Sequence, residues 1–186
     1  MSFSEYCGSY DLEFMLVTFF KEENSTKMGI KFRKNGIAED LLTKDLKLFE
    51  QIKDILEEIC ILTDFDCEYD KIDQIGVGSF GNIYKVRQKK QNEFYAAKII
   101  DKVKFKNENM DQKKKGLMEE IRIMRLYPDH PNLLKLYRIY ETKTKVILVL
   151  ELLEGCDLLT LINSTNSLSF KEVKNMILQI LEGLIT

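Results

Sequence analysis

Ile75-Gly76-Val77-Gly78-Ser79-Phe80-Gly81-Asn82-Ile83-Tyr84-Lys85-Val86, followed ten residues later by Ala96-Ala97-Lys98, is the stretch that decides the fold of this chain. Three glycines at G-x-G-x-x-G spacing let a backbone loop bring its amides close to oxygen atoms such as those of phosphate. In a dinucleotide-binding turn a helix would begin at the glycines. Here Gly81 is followed by alternating apolar and polar residues, Asn82 to Val86, the period of a strand. The segment therefore reads as a hairpin with a glycine tip. By themselves the glycines leave open a phosphate loop or an ordinary glycine-rich hairpin. Lys98 narrows the choice, because a lysine among Ala97, Ile99 and Ile100 is costly unless its ammonium has a partner.

Composition sets the bounds. The 186 residues are 45% apolar and 31% charged, with a net charge of -2, the balance of a globular protein with no general attraction for nucleic acid or an anionic membrane. The apolar run Phe14 to Phe20 is too short for a membrane span and follows acidic residues, so no signal peptide is expected. Four cysteines, Cys7, Cys60, Cys67 and Cys156, show no metal-ligand spacing, and no metal site is expected. They read as reduced thiols in a cytoplasmic protein.

Four regions follow along the chain. Residues 1–62 read as strands and then a helix. Leu12 to Phe20 is a dense apolar run, Met28, Ile30 and Phe32 alternate with polar or small residues, and Asn35-Gly36 signals a turn. Thr43 or Asp45 caps a helix with an apolar stripe of Leu48, Ile52, Ile55, Leu56 and Ile59. Residues 63–68 read as a linker. From Tyr69 to Glu154 the pattern is strand-rich: Asn82–Arg87, Glu93–Ile100, Leu133–Tyr140 and Lys145–Leu150, with a helix over Leu117–Leu126. Residues 155–186 end in a helix begun by a Ser169/Glu172 capping box, with a stripe of Phe170, Val173, Ile177, Ile180, Leu181 and Leu184. Leu117, Glu120, Ile121 and Met124 share one helical face, which puts a carboxylate among apolar neighbours. Glu119 lies off that stripe and reads as solvated.

The glycine hairpin, Ala96-Ala97-Lys98, the helix glutamate and Val146 to Gly155, in that order, resemble the small lobe of a protein kinase. The resemblance covers Tyr69 to Thr186. The phrases Leu117 to Met124 and His130-Pro131-Asn132 are most similar to calcium/calmodulin-dependent and calcium-dependent serine/threonine kinases. It implies an α+β fold: an antiparallel five-stranded sheet with one helix, then the first helices of the large lobe. It also implies an ATP site made from Ile75, Gly76, Val77, Gly78, Ser79, Phe80, Gly81, Asn82 and Ile83. Phe80 would shield the phosphates, Ala96 would pack on adenine, and Lys98, paired with Glu120, would bind phosphate. Leu150 would be the gatekeeper, Glu151 and Leu153 would offer backbone groups to the adenine edge, and Asp157 would reach the ribose. Met124 and Leu136 would belong to the packed column between lobes. His130 would sit in a structural turn rather than act as an acid or base, and Cys156 stands where a second glycine is common.

The family's function is transfer of the γ-phosphate of ATP to a protein hydroxyl, with a catalytic-loop Asp, and with an Asn and a second Asp holding magnesium. No His-Arg-Asp and no Asp-Phe-Gly occurs in these 186 residues. The expectation is a polypeptide that lacks phosphoryl transfer by itself, with ATP and a protein substrate as partners and Mg2+ only in a complete kinase. The alternatives are a non-catalytic nucleotide-binding or regulatory module, or an adaptor that binds membrane lipid or a protein partner through residues 1–62. That segment resembles the C-terminal half of a pleckstrin-homology domain, with Phe49 and Ile52 at helix positions of that family. No residue corresponds to its basic lipid site. The other reading is a strand-and-helix extension that packs on the next domain.

Overall fold

The computed structural model describes residues 15–34, 36–78, 81–105, 110–165 and 167–185. Its elements in chain order are β1 (Leu16–Lys21), β2 (Met28–Lys34), β3 (Ile37–Thr43), α1 (Leu46–Ile59), β4 (Ile61–Leu62), α2 (Phe65–Glu68), β5 (Tyr69–Val77), β6 (Asn82–Gln88), β7 (Phe94–Asp101), α3 (Met110–Leu126), β8 (Leu136–Glu141), β9 (Lys145–Leu150), α4 (Leu158–Ser164) and α5 (Phe170–Ile185). A 3-10 turn, Lys102–Phe105, follows β7.

The nine strands make one sheet in the order β3-β2-β1-β4-β8-β9-β7-β6-β5. The five expected strands occupy one end, all antiparallel. The sheet then continues: β4 pairs in parallel with both β8 and β1, so Ile61 lies beside Ile139 on one side and Leu16 on the other. Strand β3, unexpected from the sequence, completes a meander with β1 and β2, and Gly36 at its turn has φ +84. Gly29 is required by a close approach, since a Cβ there would fall 2.2 Å from the Phe20 ring.

Side-chain alternation divides the interior in two, because neighbouring strand residues point to opposite faces. On one face Ile61, Ala96, Ile100, Ile139, Leu148 and Leu150 pack with Leu117 and Ile121 of α3. On the other Leu62, Phe65, Tyr69, Val86, Ala97, Tyr140, Ile147 and Val149 form an aromatic-rich cluster. There Phe65 stacks on Tyr69 and meets Tyr140 edge-on. Helix α1 covers a third cluster of Met15, Val17, Ile30, Phe49, Leu56 and Cys60.

Several expectations change. Residues 63–68, read as a linker, include α2 with Phe65 buried. The α1 stripe is narrower than expected: Phe49, Ile52 and Leu56 face the sheet, while Leu48, Ile55 and Ile59 are exposed. Leu48 and Ile55 lie off the line that Phe49, Ile52 and Leu56 trace at helical spacing. Of the two capping candidates, Asp45 takes the role, accepting from the Leu48 amide at 3.0 Å. Helix α3 begins at Met110 rather than Leu117, and β8 begins at Leu136 rather than Leu133. The α5 stripe is exposed from Phe170 to Leu184. Among the described residues no helix is long and apolar enough to cross a membrane.

Candidate nucleotide site

Lys98 lies on β7 between Ala96 and Ile100, so the period of two turns it toward the face that α3 covers. Its Nζ donates to Glu120 Oε1 at 2.6 Å, with the lysine side chain only 11% exposed. Glu120 reaches it because Leu117 and Ile121, one turn before and one residue after, are buried against the sheet. Glu119, one residue off, is exposed. A buried ammonium is thus matched by a carboxylate, the condition under which such a charge is tolerated.

The glycine hairpin closes over this lysine. Gly78 N–H donates to the Gly81 carbonyl at 2.7 Å. A Cβ on Gly78 would come within 3.9 Å of Lys98 Cε. A Cβ on Gly81 would fall 2.1 Å from the Ile99 carbonyl oxygen, so this glycine is required by its packing on β7. None of Gly76, Gly78 and Gly81 has a positive φ; close approach rather than unusual backbone angle explains them. The strands bulge just before the tip, between Lys71 and Asp73 and between Gln74 and Gly76. Ser79 and Phe80 lie outside the described residues. Ile75 and Val77 are exposed, Asn82 begins β6, and Ile83 packs against the α3-facing cluster opposite Lys98.

The residues expected beside adenine start from the paired ends of β7 and β9. Ala96 pairs with Leu150, and both are buried. Beyond Leu150 the Glu151 N–H donates to the Lys135 carbonyl at 3.0 Å, a contact that the sequence does not signal. It occupies the Glu151 donor. Leu153 is exposed at the rim. Asp157 caps α4, accepting from the Thr160 amide at 2.7 Å, and that bond holds its carboxyl below the usual range. The structure thus shows it as a helix cap. Met124 and Leu136 pack against one cluster. His130 is in a turn, its Nδ1 accepting from the Asn132 amide at 3.2 Å. Cys156 is exposed.

The residues present fit the phosphate end of ATP: a buried lysine held by Glu120 and a glycine hairpin above it. Among the described residues no group of three His, Cys, Asp or Glu is arranged to hold a metal.

The protein kinase domain matches residues 69–186. Calcium-dependent protein kinase 5 of Plasmodium berghei is 36% identical over 151 residues, covering 78% of this chain and 25% of the relative. Death-associated protein kinase 2 of Mus musculus is 35% identical over 115 residues, 62% of this chain and 31% of the relative. A probable myosin light chain kinase of Dictyostelium discoideum is 35% identical over 118 residues, 63% of this chain and 35% of the relative. The chain spans about a quarter to a third of the length of these relatives. The Plasmodium match covers a larger share of the chain than residues 69–186 make up, so it reaches into the segment ahead of Tyr69. With well over half of its residues accounted for by that one domain, the chain belongs to the protein kinase family.

Proposed function

We propose that residues 69–186 bind ATP as the small lobe, and the start of the large lobe, of a serine/threonine kinase of the calcium-dependent type. The observation that carries this reading is the 2.6 Å Lys98–Glu120 pair beneath the glycine hairpin. Lys98 holds phosphate oxygens, Glu120 fixes the ammonium, and the Glu151 carbonyl with the Leu153 backbone meets the adenine edge. Gly76, Gly78 and Gly81 let the hairpin lie close over the phosphates. In the longer kinase the bound nucleotide supplies the γ-phosphate for a protein hydroxyl. Positioning and electrostatics dominate that reaction. The base and the magnesium ligands are not among the groups assembled here, and the 186-residue polypeptide binds nucleotide without transferring phosphate.

The test is titration of this chain with a fluorescent ATP analogue. Lys98→Ala loses a charge-assisted phosphate contact and is expected to weaken binding by about tenfold or more. Equal affinity in both proteins removes the site assignment. Transfer of labelled γ-phosphate to a generic peptide by the unmodified chain, lost in Lys98→Ala, would show that the chain is active by itself.

A further inference from the structure

The face covered by α3 does not end with the five kinase-like strands. Ile61, from the two-residue strand β4, belongs to the same packed cluster as Leu117 and Ile121 of α3, and Leu16 of β1 and Met124 of α3 pack against that cluster. Strand parity puts Ile61 on this face and Leu62 on the other, as it does Ile139 and Tyr140 on the neighbouring strand. The N-terminal segment therefore lengthens the floor on which α3 rests.

Ile61 is held in place from several directions. Its N–H donates to the Met15 carbonyl at 2.8 Å. Thr63 hydroxyl bonds Thr18 at 3.3 Å. On the opposite face Arg138 of β8 is gripped by Glu57 of α1 at 2.5 Å and Glu68 of α2 at 2.8 Å. Near the end of α3, Arg125 is close enough to act on the thiol of Cys60, which precedes Ile61. Helix α3, by contrast, makes no strand pairing, and its seat depends on the apolar residues flanking Glu120.

We propose that Ile61, backed by Leu16, is a positioning residue for Glu120: the N-terminal segment props α3 at the height where Glu120 reaches Lys98. This rests on the nucleotide-site reading above. It also gives the segment ahead of Tyr69 a part in that site, in keeping with the extent of the Plasmodium match.

The experiment is a double-mutant cycle on the full chain, read by the affinity for a fluorescent ATP analogue. Ile61→Ala is expected to weaken binding about 5-fold or more, within the usual range of coupling between sites. Ile61→Val, which keeps most of the contact, retains near-normal affinity. Because Ile61 acts through Glu120, Ile61→Ala combined with Glu120→Gln binds no more weakly than Glu120→Gln alone. Normal binding by Ile61→Ala, independent multiplication of the two effects, or normal binding by Glu120→Gln overturns the proposal. If Ile61→Ala does not fold, Leu16→Ala in the same cycle carries the same expectation, and independence there overturns it equally. Lys98→Ala separates the two readings. Unchanged affinity in Lys98→Ala removes the nucleotide site and this inference with it. Lost affinity in Lys98→Ala beside normal Ile61→Ala removes the positioning role alone.

Discussion

Gly81 shows how strictly a single position can be set. Its α-carbon lies against the β7 backbone, and an added methyl would meet the Ile99 carbonyl at 2.1 Å. The neighbour is main chain and cannot rotate away, so Gly81→Ala must push β6 from β7. Overpacking of this kind costs about 1–3 kcal/mol. Urea denaturation is expected to show that loss, with weakened nucleotide binding, since the same strand pair carries Lys98. A stable variant with normal affinity would mean that the hairpin tip is not seated as the structure places it. At this scale much was legible beforehand. Lys98 stood out as a charge inside an apolar strand, and Glu120 as a carboxylate on an apolar helical stripe. The pair itself, at 2.6 Å, needed the helix and strand brought together. Gly81 was legible as a glycine but for another reason, because the carbonyl that excludes a side chain belongs to a different strand.

Elements are held by their ends and by their cross-links. Helices α4 and α5 both begin at carboxylate caps. Asp157 accepts from the Thr160 amide, and Glu172 accepts from Ser169 through both its hydroxyl, at 2.6 Å, and its amide, at 2.8 Å. These bonds hold both carboxyls below their ordinary values of 3.8 and 4.5. A carboxyl lowered on folding stabilises fully above its unfolded value, and that contribution is lost as pH falls through the folded one. Protection of the amides in the first turns of α4 and α5, taken relative to their intrinsic exchange rates, is therefore expected to fall as the pH drops from roughly 5 to 3. Glu172→Gln is expected to remove that pH dependence at α5. A flat response in the unmodified chain would mean the caps are open in solution.

The α1–β8 cross-link is stronger. Burial pushes the Glu57 carboxyl up, although Arg138 and Lys53 pull it down. Burial by itself would lower Arg138, yet Glu57 and Tyr140 hold it above its ordinary value. The guanidinium stays charged between two carboxylates. Arg138→Leu removes the nearer of two cations from Glu57, 8% exposed, and leaves it Lys53 at 3.6 Å. An uncompensated buried charge costs about 3 kcal/mol, and the remaining Lys53 contact keeps the loss here below that. The midpoint of urea unfolding should fall accordingly, and an unchanged midpoint would mean that water screens the pair. No local pattern announced this clamp: Glu57, Glu68 and Arg138 come from three elements.

The whole molecule is joined through β4. Two residues with parallel neighbours on both sides make one sheet of the N-terminal meander and the kinase lobe. Shared hydrogen bonding, the shared α3-facing cluster and the Arg138 clamp all cross that junction. Calorimetry is expected to show the N-terminal segment and the lobe melting in a single cooperative transition. Two resolved transitions would show that the segment folds as an independent unit.

The sequence by itself determined the kinase-like lobe, its succession of strands along the chain and the residues proposed for a nucleotide site. Those depend on local spacing: glycines within six positions, a lysine in an apolar strand, a glutamate on a helical stripe. Only the tertiary structure decided where residues 15–62 pair and pack. A two-residue strand carries no periodicity, and pairing at a sheet edge depends on a surface that exists only once the other strands have folded. For the same physical reason Ile61 could not be recognised along the chain as part of the floor beneath Glu120.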